Sequence, residues 1–561
     1  MSALIDFSSP GVPGAPRQRH AFGTPRQTLV AHTLEQVRPV LEAVHAQALE
    51  GRWCVGCLRY EAAPAFDAAF EVHRADGPLA WFSVHDGPVP WPEDADSEPV
   101  QAHGARVAWE DALPRSAFDE ALAEIHRAIA SGEVYQVNYT ARLRGPLNAL
   151  PRTLFAALRR AQPGGYAAYI DAGDEQVLSV SPELFFDWRE RRLLTRPMKG
   201  TAARGTTAEE DAAAAAGLLG SAKERAENVM VVDLLRNDVS RIAEPFSVRV
   251  PRLFHAEALP TVWQMTSDVE ALTRADCTLH DVFEALFPCG SVTGAPKVSA
   301  MRIIRSLEPE ARGVYCGAVG VVQPGGAATF NVPIRTVTSR AGIVRCGIGS
   351  GITADARADD EWREWRHKRA FLDRADAPFE LLETLALEDG NLRGASAHVA
   401  RMAAAAAHFG FSWDAQAVER RLDEVREAHS QGSWRVRVLL DLQGRAQVEV
   451  YGMEAGPACV RLQLADRPFE AADSEFVRFK TTRRAHYDAF APKREGVFDT
   501  LLWNGRRELT ECTRGNVALL LDGRWVRPPW RCGLLGGIGR AKALSDGRLT
   551  EAVVRVEDLP R

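Results

Sequence analysis

Near residues 372–378 the hydrophobic pattern of this chain stops and then starts again. Before that point, helix-period and strand-period stretches follow one another without regular βα alternation. Ser116–Ser131 has the spacing of an amphipathic helix, with Phe118, Leu122, Ile125 and Ile129 on one face. GEVYQVNYTARL alternates like a strand, a second helix is expected over about Pro151–Ala161, and GYAAYIDAG, EQVLSVSP and ELFFDWRE read as strands. After the break, FELLETLALEDGNLRG reads as a hairpin, SAHVARMAAAAAHFGF as a helix, and WRVRVLLDLQG and AQVEVYGM as strands. No repeat relates the two halves. A chain of 561 residues is also too long for one ordinary core. The expectation is α+β in both parts: a large domain of mixed sheets and helices over residues 1–372, and a smaller α+β domain over 376–561. Residues 86–103, rich in proline and acid, read as a loop.

Several function classes fall away at once. A net charge of −6 provides no basic field for nucleic acid. No run of about 18 apolar residues predicts a membrane span. The N-terminal stretch to Phe22 lacks the apolar centre of a signal peptide. The nine cysteines are scattered, which suits a reducing compartment, so a cytoplasmic protein is expected. Cys54 and Cys57 form a lone CxxC without a second ligand pair and read as buried thiols.

Of 68 basic residues only seven are lysines: Lys199, Lys223, Lys297, Lys368, Lys480, Lys493 and Lys542. A guanidinium stays charged, whereas an amine becomes a nucleophile once its pKa falls from about 10.4. Each lysine is therefore a candidate for chemistry, and Lys199 stands inside the distinctive run Thr195–Thr201, TRPMKGT. A helix is expected over about Thr207–Leu235, with Glu224 and Glu227 on one face. Glu361 and Glu364 repeat that spacing on a second expected helix. Two carboxylate pairs suit a hard divalent ion such as Mg2+, although spacing alone favours two solvated faces. RCGIGSGITAD reads as a strand entering a glycine-rich turn whose amides could bind an anion.

These segments together resemble a known family. YQVNYT (135–140), SVSPELFF (179–186), RPMKGT (196–201), KERAENVMVVDLLRNDVSRI (223–242), PCGSVTGAPKVSAMRII (288–304), NVPIRTV (331–337) and GIGSGI (347–352), with Glu361 and Glu364 behind them, resemble the chorismate-utilising enzymes. Within that family the resemblance is to the branch of aminodeoxychorismate synthase component I. The resemblance implies that Lys199 attacks C2 of chorismate and that Glu183 protonates the departing C4 hydroxyl. Glu227 and Glu364 would hold Mg2+, supported by Glu224 and Glu361. Arg335, Thr293 and the Gly349–Ser350–Gly351 segment would bind substrate. Anthranilate synthases carry a small residue in place of Lys199 and a histidine in place of Gln264, so anthranilate synthesis conflicts with this sequence. None of the nine cysteines sits in a glutaminase-type turn, so the resemblance implies ammonia from a separate glutamine amidotransferase subunit, or the use of free ammonia.

The second part resembles the fold type IV pyridoxal-phosphate enzymes, in particular aminodeoxychorismate lyase. The carrying residues are ETL (383–385), HVARM with His398 and Arg401, FGF (409–411), KTTRRAHY (480–487), ELTECTRGNV (508–517) and CGLLGGIGR (532–540). Lys480 would join the aldehyde of pyridoxal 5'-phosphate, and Glu511 would face its ring nitrogen. Arg401 would bind the phosphate with the amides around Gly537 and Ile538. Gly536 replaces a usual proline, and the chain ends sooner after CGLLGGIGR than the resemblance implies. The resemblance therefore implies a bifunctional enzyme making 4-aminobenzoate for folate, with a homodimer as a candidate assembly; the alternative is synthase activity alone, with a structural or dimerising second domain.

Overall fold

The computed structural model describes residues 1–10, 16–92, 107–111, 113–205, 208–258, 262–376, 378–454, 456–457 and 459–559. The expected loop over 86–103 lies from 93 onward outside the described residues, as does Thr207. The chain divides into two units, Met1–Pro378 and Phe379–Arg561.

Among the described residues the first unit holds two large sheets, one of eight strands and one of ten. Ile5, Val177, Val55, Val319 and Leu194 belong to one buried cluster drawn from both sheets. Helices cover the outer faces. Phe118, Leu122, Ile125, Leu154, Phe155 and Leu158 pack with Leu178 and Val344 of the eight-stranded sheet. Val37, Leu41, Val231, Leu235 and Phe283 pack with Phe186 and Phe330 of the ten-stranded sheet. The result is α+β in four layers, and burying both faces of each sheet explains its near-continuous apolar strands.

Six elements position the site. In chain order they are β1 (Gln136–Pro146), β2 (Met198–Ala203), α1 (Ala222–Ser240), β3 (Val262–Leu272), β4 (Ile343–Ile352) and α2 (Ala358–Asp376). β1 and β4 are antiparallel neighbours in the eight-stranded sheet. β2 pairs with β3 in the ten-stranded sheet.

Two expectations are corrected here. The single helix over Thr207–Leu235 is two, Ala208–Gly220 and α1. The break falls after Gly220, where the Ser221 side chain accepts from the Glu224 amide and starts a new helix. The glycine-rich turn at GIGSG is instead the interior of β4, in register from Ile343 to Ile352 with β1. Its other neighbour, Thr336–Arg340, pairs only as far as Cys346. The glycines serve close approach: a Cβ on Gly347 would strike the Tyr315 ring, and one on Gly349 would strike the Tyr139 carbonyl.

The second unit contains a four-stranded sheet and two three-stranded sheets among its described residues. β5 (Leu381–Glu388) lies inside the four-stranded sheet and packs beneath α3 (Ala395–Phe409), with Leu385, Met402, Ala406 and Val436 in one core. β6 (Leu509–Cys512) and α4 (Ile538–Ser545) complete the frame of its cavity. Cys54 and Cys57 are buried free thiols on the strand Trp53–Leu58. No described helix is long and apolar enough to cross a membrane.

Candidate active site

Lys199 sits where the β2–β3 ladder slips. Met198 pairs with Thr266 and Thr201 with Gln264, and the register shifts between them. Gly200 takes φ +93°, a left-handed conformation that favours glycine. Such a bulge re-aims a side chain. Its backbone is tied down: Asn228 Nδ2 donates to the Lys199 carbonyl at 3.3 Å and Gln264 Nε2 to the Gly200 carbonyl at 2.8 Å. Thr201 donates to Gln264 Oε1 at 3.1 Å. Gln264, expected to stand in place of a histidine, thus has both ends of its amide occupied in holding the bulge.

The Lys199 amine reaches across to the other sheet. A Cβ placed on Gly351 would lie 2.5 Å from Lys199 Nζ and 2.4 Å from Gln136 Nε2. Glycine is what lets this amine approach β4. Burial lowers the Lys199 pKa, and the Lys368 charge lowers it further, against the opposing pull of Glu227, Glu364 and Glu183. Lys368 itself is fixed by the Gly349 carbonyl at 2.9 Å and Glu364 at 2.7 Å. Sequence reasoning missed Gln136. It is 1% exposed, and neither of its amide atoms has a hydrogen-bond partner in the structure. Spacing carries no signal for it. A buried amide without partners beside the Lys199 amine is a candidate ligand contact.

Glu183 is 3% exposed, and its Oε1 has no hydrogen-bond partner. Burial pushes its carboxyl up to about 7, with Lys199 among the groups pulling the other way. It can therefore hold a proton at neutral pH, as a general acid must. Arg335 takes a left-handed φ of 49° and donates to Gln162 Oε1. Burial and the Arg374 charge bring its guanidinium down to about 10. No carboxylate among the described residues pairs with it, so its charge is available to an anion. No described contact joins Arg335 to Lys199.

The four glutamates project from α1 and α2. Glu224 is raised by burial and then by Glu227 and Glu364, and Glu361 by burial and then by Glu364. Carboxylates of the two helices therefore sense each other. Hard oxygen donors under mutual repulsion fit a divalent cation. In the structure lysines answer part of that charge, Lys223 near Glu227 at 3.9 Å and Lys368 on Glu364. Among the described residues no three potential ligands stand together as a formed metal cluster. The hydroxyls of Ser350 and Thr293, both expected at the substrate, also make hydrogen bonds within the protein. Ser350 donates to Glu361 Oε2 at 2.5 Å and accepts from Trp365 Nε1 at 3.0 Å. Thr293 donates into its own turn, to the Cys289 carbonyl at 3.1 Å. Both hydroxyl hydrogens are committed within the fold, and the Thr293 amide and carbonyl are paired as well, with the Gly290 carbonyl at 3.3 Å and the Asn138 amide at 2.8 Å.

The second unit has a cavity of about 900 Å³ whose lining includes His398, Arg401, Lys480, Tyr487, Glu511 and Ile538. Burial brings the Lys480 amine down to about 8, helped by Arg401 and opposed by Glu383. Glu511 is 3% exposed and pushed up to about 7 by burial. It accepts from the Tyr487 hydroxyl at 2.7 Å, from Asn516 at 3.0 Å and from the Leu535 amide at 3.1 Å. Gly537 begins α4, and a Cβ there would lie 2.1 Å from Asn516 Oδ1. An amine titrating near neutrality, a fixed acid, an arginine and a helix start in one cavity suit an aldehyde cofactor with a phosphate.

Comparison with known proteins fixes the lineage of both units. The model of the chorismate binding enzyme family matches residues 13–374, and that of the class IV amino-transferases matches residues 380–561. The chain belongs to the chorismate binding enzyme family and carries a class IV aminotransferase domain behind it. Among its relatives is aminodeoxychorismate synthase component 1 of Klebsiella aerogenes, 39% identical over 53% of this chain and 67% of the relative. Anthranilate synthase component 1 of Aquifex aeolicus is 38% identical over 48% of this chain and 54% of its own length. The fold of the first unit is also that of anthranilate synthase component I from Streptococcus pneumoniae TIGR4, with a TM-score of 0.56 at 23% identity, covering 66% of this chain and 92% of that one. Identities this close do not separate the two activities of the relatives. The site residues must.

Proposed function

We propose that the first unit aminates chorismate at C4 to give 4-amino-4-deoxychorismate, and that the second removes pyruvate to give 4-aminobenzoate. The observation that carries this reading is the Lys199 amine, desolvated against Gly351 with the Glu183 carboxyl titrating about 7. A small residue at that position would leave no nucleophile.

In this mechanism the Lys199 amine forms a bond to C2 while the C4–O bond breaks and the ring double bonds shift. Glu183 gives its proton to the departing hydroxyl, which leaves as water. Ammonia then bonds to C4 as the C2–N bond breaks, Lys199 leaves as the neutral amine, and the proton that the new C4 ammonium sheds returns to Glu183. The sum is chorismate and ammonia to aminodeoxychorismate and water. Gln136, its buried amide unpartnered beside Gly351, would offer that amide to the substrate, and Arg335 would take a carboxylate through its fork. Mg2+, when held by Glu227 and Glu364 with Glu224 and Glu361, would neutralise a substrate carboxylate. Ammonia would come from a separate amidotransferase subunit, as the designation component 1 of the Klebsiella relative suggests.

In the second unit, pyridoxal 5'-phosphate would supply an electron sink. Lys480 would hold its aldehyde and move the proton from the substrate carbon. Glu511 would face the ring nitrogen, and Arg401 with the Ile538 amide would hold the phosphate. The formed cavity favours this reading over a purely structural second unit. The test is incubation of the full chain with chorismate, ammonia and Mg2+, with and without pyridoxal phosphate. Aminodeoxychorismate without the cofactor, and 4-aminobenzoate with pyruvate in its presence, are expected. Anthranilate as product would overturn the reading of the first unit.

The carboxylates give a separate expectation. Glu227→Gln and Glu364→Gln should each raise the Mg2+ concentration for half-maximal amination by about tenfold or more, with unchanged thermal unfolding. Unchanged Mg2+ dependence in both would return these residues to solvated helix faces.

A further inference from the structure

Glu383 lies on β5 at 3% exposure, and two side chains of α3 converge on its carboxylate. Arg401 donates twice, Nε to Oε1 at 2.7 Å and Nη2 to Oε2 at 2.6 Å. His398 Nδ1 lies 2.7 Å from the same Oε2. The Arg401 Nη1 donates to the Gly536 carbonyl at 2.7 Å, immediately before α4. A guanidinium has five N–H donors, so two remain. With its Nδ1 hydrogen directed to Glu383, the His398 ring has only Nε2 left, and that ring lines the cavity. Its Cδ2 and the Ile538 side chain both flank Gly394, within 3.8 and 3.4 Å of a Cβ placed there. The histidine thus stands at the helix-start end of the cavity.

The arrangement is more than a pinned arginine. A bidentate Arg–carboxylate pair is already complete. The histidine on the same oxygen adds a second donor and orients its outer nitrogen, as a carboxylate orients an imidazole in metal and catalytic sites. We propose that Glu383 is a positioning residue that assembles Arg401 and His398 into one subsite for a phosphate monoester, and that His398 takes up a proton when the phosphate binds. The proposal rests on reading the cavity as a pyridoxal phosphate site and adds two residues and a proton to it. Glu383 contacts His398 directly, and the charged groups that line the same cavity are Arg393, Arg401, Lys480, Arg484, Glu511, Arg514 and Lys542. A phosphate dianion adds about two negative charges to that set and so draws a proton to Nε2.

The test separates the phosphate from the rest of the cofactor. Full-length protein freed of cofactor is titrated with pyridoxal 5'-phosphate and with pyridoxal, which lacks the phosphate, at several pH values between about 6 and 8.5. Wild type should prefer the phosphorylated form by about 100-fold or more. Glu383→Gln should cut that preference by about tenfold or more while pyridoxal binds as before. His398→Asn should flatten the rise of the preference with falling pH; the cofactor's own titration is common to both proteins, so the difference reports the histidine. Equal weakening of both ligands in Glu383→Gln, or an unchanged preference, would reduce Glu383 to a scaffold residue and overturn the proposal. An unchanged pH trend in His398→Asn would overturn the proton uptake. Wild type that binds neither ligand would fell the cofactor reading itself, an outcome distinct from these.

Discussion

Lys199→Ala is expected to lower amination of chorismate by a factor on the order of 10³ or more, because no second amine can take its place as nucleophile. Lys368, whose charge acts on Lys199, is held by the Gly349 carbonyl and Glu364. Lys199→Arg should fail as well. A guanidinium does not lose its proton, and its larger head would press on Gly351 and Gln136. The chemical step predicts a trapped species: with ammonia withheld, mass spectrometry of wild type mixed with chorismate should find Lys199 carrying chorismate less one water. Full activity in the arginine variant would rule out the covalent route. The same two variants test the bulge. Thermal unfolding close to wild type is expected, since Gln264 and Asn228 hold the β2 backbone rather than the lysine side chain.

How far the sequence could be read depended on whether a feature is local. The helix Pro151–Ala161 was legible to the residue, because proline at its start and an apolar face on Leu154, Phe155 and Leu158 are local facts. The α+β class followed from the same kind of pattern. Lys199 stood out as a candidate because lysine is rare here and the motif around it is distinctive. Its bulge was not, since the slip depends on pairing with Thr266 and Gln264, far away in sequence. GIGSG was read as a turn because glycine usually marks one. Gly347, Gly349 and Gly351 instead make room for Tyr315, Tyr139 and Lys199, and the partners that need the room lie in other segments. Gln136 and Glu383 were invisible as functional residues for a related reason. An amide in an alternating strand and a glutamate in a hairpin acquire meaning only when distant strands bring Gly351 to one, and a helix brings Arg401 and His398 to the other.

The second large effect concerns Lys480. Its amine, brought down to about 8 chiefly by burial, lies in a cavity it shares with Glu511 and Arg401. An amine at that value is neutral in a useful fraction of molecules near pH 7.5, enough to engage an aldehyde and then to move a proton. Its strand-like placement is fixed by the carbonyl of Lys480 accepting from the Leu382 amide at 3.0 Å, one residue before Glu383. Lys480→Ala should therefore remove the lysine-dependent absorbance of added pyridoxal phosphate and reduce pyruvate release from aminodeoxychorismate by about 10³ or more. Production of aminodeoxychorismate from chorismate and ammonia should continue at the wild-type rate, because Lys199 and its neighbours lie in Met1–Pro378, with cores of their own. The split in outcome is what distinguishes a catalytic second unit from a structural one. A structural unit would give no pyruvate in wild type, so the substitution would change nothing. Measuring pyruvate from both proteins, each supplied with aminodeoxychorismate and pyridoxal phosphate, decides the point, and equal rates would remove Lys480 from the chemistry.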